Sequence, residues 1–189
     1  MIRMGLRIIT GDFKKKKLFS VRGAKTRPTA GRLREAIFNI LNKDVIDSMI
    51  LDIFAGTGAL GIEALSRGAG YVIFVEKSRV ASHVIKQNIQ LCKLENKTSV
   101  MTMDALKNLR CIKSITPFFD LVFMDPPYNK GFIIPTLINL HKSALLKKDS
   151  CIVVEHSDKE NIPRDLAGYD IYDSRKYGNT VVSYLTYIE

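Results

Sequence analysis

Tryptophan is absent from the chain and cysteine is sparse: Cys92, Cys111 and Cys151 lie far apart, with no Cys-x-x-Cys pair. That scarcity excludes a disulfide framework and gives no support to a thiolate metal site; buried thiols in a reducing compartment are expected instead. Histidine is equally thin. His83, His141 and His156 stand apart from one another, so neither an imidazole zinc site nor a Ser/His/Asp triad is indicated, and no metal is expected. No apolar run approaches the ~18 residues needed to cross a bilayer, and the N-terminus lacks the apolar core and small-residue cleavage site of a signal peptide. The expectation is a soluble, cytoplasmic protein with no membrane partner. Repeats and low-complexity linkers are missing as well.

What is present is enough for a sizeable core: 189 residues, 46% of them hydrophobic, suggest one domain with an appendage. The net charge of +10 is unevenly placed. Residues 1–43 hold twelve Lys and Arg against two acids, whereas residues 44–189 hold seventeen of each sign. Charge segregated in this way is the footprint of a polyanion-binding surface, because each neutralised phosphate releases counterions; a solvated basic arm is the plainer alternative. Arg7 to Gly11 and Leu18 to Val21 read as two short strands around a turn at Lys14 to Lys17. A helix is expected from about Ala30 to Asn42, with Thr29 as N-cap after a stiff Thr26-Arg27-Pro28-Thr29 linker. Leu33, Ile37, Ile40 and Leu41 give it one apolar face. Arg32 and Arg34 fall off that face, toward RNA, a reaction pocket or plain solvent.

Beyond residue 43 the pattern alternates strand and helix, as in a doubly wound parallel sheet. Apolar runs at Ile50 to Phe54, Tyr71 to Glu76, Thr98 to Met103, Phe118 to Met124 and Cys151 to Glu155 read as strands. Helices are expected up to the Gly68 stop, from Ser78 to Lys93 and from Ile133 to Leu145. Tyr169 to Asp173 and Thr180 to Ile188, around a Gly178-Asn179 turn, look like an antiparallel closing pair.

The first strand runs into Gly56-Thr57-Gly58-Ala59-Leu60-Gly61, a glycine loop that lets a ligand approach the main chain. With Glu76 about 20 residues on, it also satisfies a dinucleotide fingerprint, so the loop alone is ambiguous. Asp52 weighs against a pyrophosphate, which a carboxylate there would repel. It suits a ligand with an ammonium and no phosphate, such as S-adenosylmethionine. Glu76 then stands where a ribose would lie and can accept both hydroxyl hydrogens. Asp104 follows the third strand, either accepting from an adenine amino group or capping the helix after it.

The fourth strand ends in Asp125-Pro126-Pro127-Tyr128. A nucleobase amine is a poor nucleophile because its lone pair is delocalised. Two acceptors, the Asp125 carboxylate and the Pro126 carbonyl, can hold the nitrogen and favour its attacking form. The two prolines restrict the backbone that aims the carbonyl, and Tyr128 offers a flat face for a base, worth ~1–3 kcal/mol in single-strand contacts.

These stretches together resemble the RsmD-type 16S rRNA (guanine-N2)-methyltransferases: RIITG (7–11), TRPTAGRLREAIFNIL (26–41), LDIFAGTGALGIEALSRGA (51–69), FVEKS (74–78), FDLVFMDPPY (119–128) and YGNT (177–180). The glycine loop and Asp-Pro-Pro-Tyr occur in amino-methyltransferases of several substrates; TRPT with RLREAIFN is more discriminating. The resemblance implies an α/β class I S-adenosylmethionine-dependent methyltransferase fold: a mostly parallel, Rossmann-like, seven-stranded sheet with an antiparallel last strand. It implies donor contacts at Asp52, Gly56, Gly58, Glu76 and Asp104, with neighbours Phe54, Thr57, Lys77 and Ala105, and chemistry at Asp125, Pro126, Pro127 and Tyr128. It also implies 16S rRNA of the small ribosomal subunit, or its assembly intermediate, as partner, bound by a monomer. Residues 1–43 would form a basic RNA-docking hairpin and helix, and 44–189 the methyltransferase domain. One departure is visible: Lys15 stands where the family's hairpin turn usually has glycine. An adenine-N6 methyltransferase acting on DNA or RNA, and a non-catalytic RNA-binding assembly factor, are the alternatives. Transfer to adenine-only and guanine-only substrates separates the first; donor binding without transfer marks the second.

Overall fold

The computed structural model describes residues 2–21, 29–107 and 109–189. Strands β1 (Ile2–Arg7) and β2 (Lys17–Val21) form an antiparallel hairpin, followed by helix α1 (Thr29–Leu41). The rest alternates: β3 (Met49–Ile53), α2 (Ala59–Ser66), β4 (Tyr71–Glu76), α3 (Arg79–Cys92), β5 (Thr98–Thr102), β6 (Phe119–Met124), α4 (Ile133–Ser143), β7 (Leu146–Ser157), β8 (Tyr169–Tyr177) and β9 (Thr180–Tyr187). The main sheet has seven strands in the order β5-β4-β3-β6-β7-β9-β8. Its first five strands run parallel, and β9 runs antiparallel between β7 and β8. This is the doubly wound sheet with a reversed last strand that the sequence predicts. Among the described residues no helix is long and apolar enough to cross a membrane.

The central strands read as unbroken apolar runs because helices cover both of their faces. On one face Ile50, Val72, Phe74, Leu121 and Phe123 pack with Ile37 of α1, Ile62 of α2 and Ile85 of α3; on the other, Leu51, Ile53, Ile73 and Val122 pack with Leu137 and Leu140 of α4. Consecutive residues of β3 therefore belong to different cores, as the two-residue period of a strand requires. Asp52 shares a face with Ile50, beneath α2.

Several elements depart from the sequence reading. The first hairpin strand spans Ile2–Arg7, not Arg7 to Gly11. Ile8 is buried in the core, while the Ile9 and Thr10 amides donate to Glu63 and not to a neighbouring strand. No helix starts at Asp104, whose Oδ1 accepts the Leu106 amide at 3.1 Å within a turn; the next helical turn is the short 3-10 segment Arg110–Ser114. β7 starts at Leu146, hidden in sequence by Lys147, Lys148 and Asp149. Cys92 is buried as expected, but Cys111 is exposed and Cys151 half-buried. Arg22 to Pro28, most of the predicted linker, and the Thr29 side chain lie outside the described residues.

Candidate active site

All the strand tips that carry the predicted residues point to one end of the sheet. In register, Asp52 pairs with Phe123, Ile53 with Met124 and with Val75, and Met124 with Val154. Phe54, Glu76, Asp125 and Glu155 consequently emerge at about the same height. One cavity of about 1250 Å³ opens there, larger than a site for a single small ligand. Its walls include Asp52, Phe54, Gly56, Thr57, Glu76, Lys77, Asp104 and Ala105 as well as Asp125, Pro126, Pro127 and Tyr128. Gly58 is the one predicted site residue not in its wall. It sits behind, at φ +75° as the N-cap of α2, 3.3 Å from Ile85 and Phe74 for an added Cβ.

The glycine loop is held from beneath by acids. The Gly61 amide donates to Asp52 Oδ2 at 3.0 Å, and the Gly56 amide to Glu76 Oε2 at 2.9 Å. A side chain at Gly61 would put its Cβ 2.4 Å from the Phe74 ring, so glycine is what lets α2 lie directly on β4. Glu76 Oε1 also accepts the Ser78 amide at 2.7 Å, which fixes its carboxylate at the start of α3. Asp52 is only 2% exposed. Burial drives its pKa up to about 7, the Gly61 hydrogen bond opposes that rise, and the nearby Glu76 charge adds to it. A buried carboxylate whose pKa stays this high despite the Gly61 hydrogen bond is disposed to accept a cation. Lys77 reaches over to Asp104 at 2.8 Å, and this hydrogen bond lowers the Asp104 pKa.

Phe54 adopts φ +61°, a left-handed conformation costly for a side chain with Cβ, and its ring stacks on Phe132 at 6.1 Å with planes 7° apart. This contact joins the loop after β3 to the start of α4. Opposite it, Tyr128 is half-buried, and its hydroxyl donates to Glu155 Oε1 at 2.6 Å and lies 3.1 Å from Thr180 Oγ1. Burial and the Glu155 carboxylate both push the phenol pKa well above its ordinary value. Sequence reasoning missed Glu155 and Phe132. A signal for the first existed: Glu155 ends an apolar run, as Glu76 and Asp125 do.

The N-terminal region closes one side. Leu6, Ser20, Arg32, Leu33, Arg34 and Ile37 also line the cavity. Arg32 is exposed at its rim. Arg34 is buried in the cavity wall, donates to the Arg7 carbonyl and faces Glu63 at 3.4 Å, so of the three destinations open in sequence it takes the pocket, held there by Glu63. Asn88 of α3, fully buried, accepts the Phe19 amide at 2.7 Å and donates to the Phe19 and Thr57 carbonyls at 3.0 Å each, tying β2 to the glycine loop.

Comparison with known proteins shows the family and the fold. A family model described as Conserved hypothetical protein 95 matches residues 6–186. Ribosomal RNA small subunit methyltransferase D of Escherichia coli strain K12 is 33% identical over 182 residues, covering 96% of this chain and 89% of that protein. Its counterpart of the same description in Haemophilus influenzae is 35% identical over 151 residues, 79% of this chain and 78% of that one. The solved structure of the Escherichia coli protein yhhF superposes with a TM-score of 0.83 at 29% identity, over 97% of this chain and 98% of that chain. The fold is the class I methyltransferase fold, and the chain, matched along nearly its whole length, belongs to the RsmD family of S-adenosylmethionine-dependent methyltransferases.

Proposed function

We propose that the protein transfers a methyl group from S-adenosylmethionine to the exocyclic N2 amine of one guanine in 16S rRNA of the small ribosomal subunit or its assembly intermediate. The observation that carries this reading is the single cavity shared by Asp52 at the tip of β3 and Asp125 to Tyr128 beyond β6. A donor with an ammonium group fits the buried Asp52, whose carboxylate regains its charge beside a cation. Glu76 is set for the ribose hydroxyls, Asp104 and Ala105 for the adenine. Gly56, Gly58 and Thr57 bring the main chain close, while Phe54 and Lys77 border the same subsite.

The donor supplies a methyl group already made electrophilic by its sulfonium. The chain's task is alignment, which is worth ~7–11 kcal/mol when reacting atoms are held in line. Asp125 and the Pro126 carbonyl accept the two N–H bonds of the amine, leaving its lone pair directed at the methyl carbon. As the N–C bond forms and the C–S bond breaks, the sulfonium becomes a neutral thioether. The extra proton on nitrogen leaves to Asp125 or to water. Pro127 stiffens the turn and Tyr128 supports the base.

Residues 1–43 act as an RNA-docking extension on the domain formed by 44–189. Arg7, Lys14, Lys15, Lys17, Arg32 and Lys43 are exposed there, in keeping with contacts to phosphate. The Escherichia coli relative is a ribosomal RNA small subunit methyltransferase, which supports small-subunit RNA as the substrate. Nucleoside mass spectrometry of small-subunit RNA from cells lacking the protein tests it. One N2-methylguanosine should vanish and return with the intact gene; an unchanged profile rejects the reading.

A further inference from the structure

Resting on the reading above, we propose that Glu155 reads the base, its carboxylate accepting guanine N1–H beside the N2 amine held by Asp125. The geometry begins with the sheet. β6 and β7 are neighbouring parallel strands in which Met124 pairs with Val154. Asp125 and Glu155 follow at the same level on backbones about 4.8 Å apart. Both line the cavity, and both act electrostatically on the Tyr128 phenol, which hydrogen-bonds Glu155 at 2.6 Å. Tyr177, Gly178 and Thr180 complete that wall. The subsite is thus bounded by a tyrosine and by two acids that follow neighbouring, in-register strand positions.

Guanine presents two adjacent donors on its pairing edge, N1–H and the N2 amine, and a pair of neighbouring acceptors matches them. Adenine presents an amine beside an acceptor, N1, whose lone pair would face the Glu155 carboxylate. A carboxylate that acts as an acceptor offers about four lone-pair sites, so it can hold more than one donor at once. A site built to receive a donor rejects an analogue lacking it far more strongly than shape alone would.

The test uses small subunits reassembled with guanosine, 2-aminopurine riboside or adenosine at the position mapped by mass spectrometry. 2-Aminopurine keeps the reacting amine but has an acceptor at N1. Labelled methyl transfer should give the wild-type protein a kcat/KM preference of about 100-fold for guanosine over 2-aminopurine. Glu155→Ala and Glu155→Gln should each shrink that preference at least about tenfold, mainly by slowing guanosine. Intrinsic reactivity cancels in this comparison, and the Gln variant keeps an acceptor for Tyr128 if the Ala variant fails to fold. Tyr128→Phe should be slower yet keep the preference. An unchanged preference in both Glu155 variants, a wild-type ratio near one, or an equal collapse in Tyr128→Phe overturns the assignment. If wild-type protein methylates no guanosine at all, the proposed function falls first; if it does and the Glu155 variants discriminate normally, only this inference falls.

Discussion

Glu63 on α2 and Asp52 at the tip of β3 beneath it are both buried carboxylates, 0% and 2% exposed, and they differ in how their charge is met. Glu63 accepts the Ile9 amide at 2.8 Å, the Thr10 amide at 3.0 Å and Arg67 Nε at 3.0 Å, and faces Arg34 at 3.4 Å. Asp52 accepts the Gly61 amide, and burial still carries its pKa up to about 7. The first acid is compensated by backbone and cations from three elements, so it acts as a fastener between the segment after β1, α1 and α2. The second is left short of compensation beside a cavity. A deficit of that kind costs stability and is retained where a ligand removes it.

Breaking the fastener should have the largest effect. Glu63→Gln leaves the Arg34 and Arg67 charges without their carboxylate and should cost about 3–5 kcal/mol. For a chain of this size that lowers Tm by roughly 10 °C, measurable by calorimetry. Donor affinity in the protein that remains folded should change little. The contrast fails if Glu63→Gln is as stable as wild type.

Asp52→Asn should do the reverse. Donor affinity by titration calorimetry should fall about 100-fold, as expected for losing a charged hydrogen bond. The sign of the stability change follows from linkage. The folded pKa of Asp52 is raised from 3.8 to about 7, so its contribution to stability is full below the unfolded pKa and is lost as pH rises through about 7. Asparagine does not titrate, hence the variant should exceed wild type by a few kcal/mol at pH 8, with the gap closing toward pH 4. A variant no more stable at pH 8 would mean that Asp52 is better compensated than the Gly61 hydrogen bond indicates.

A smaller effect belongs to the wild-type protein. A cationic donor prefers the ionised carboxylate, so its affinity should rise toward about pH 7 and fall by up to tenfold per unit below it. Proton release on binding, read from calorimetry in buffers of different ionisation enthalpy, should be largest below that pH and absent in Asp52→Asn.

The two carboxylates were not equally legible. Asp52 announces itself because it interrupts an apolar strand and immediately precedes the glycine loop, both local signals. Glu63 lies inside GIEALSRG, where a helical glutamate reads as a solvated residue, and the amides that claim it are 54 and 53 positions away. Glu155 was obscured in the same way, with Tyr128 and Thr180 at separations of 27 and 52 for the hydrogen bonds around its partner hydroxyl. The mostly parallel sheet and its reversed last strand were readable, since strand-helix alternation leaves few arrangements. The hairpin was readable as charge but not as conformation. Ile8 and Ile9 have the composition of a strand, yet one fills the core and the other serves Glu63.

The hairpin also supplies the subtlest test of the contrast between fastening and function. Lys15 is exposed at φ +68°, donates its amide to the Ile8 carbonyl at 2.9 Å, and stands where the resembling family has glycine. A left-handed lysine carries a local cost of about 1 kcal/mol that glycine avoids, while glycine gives back part of this through the entropy of the unfolded chain. Lys15→Gly should therefore raise Tm by no more than about 2–4 °C. It should also remove one exposed cation from the hairpin. If Lys15 contacts phosphate, the slope of log binding constant against log salt falls by about one, with the preference among bases unaltered. A stability gain without any change in that slope would assign Lys15 to the turn alone; a loss of stability would mean that its backbone conformation is held by the side chain, and the hairpin would belong with Glu63 on the structural side of the comparison.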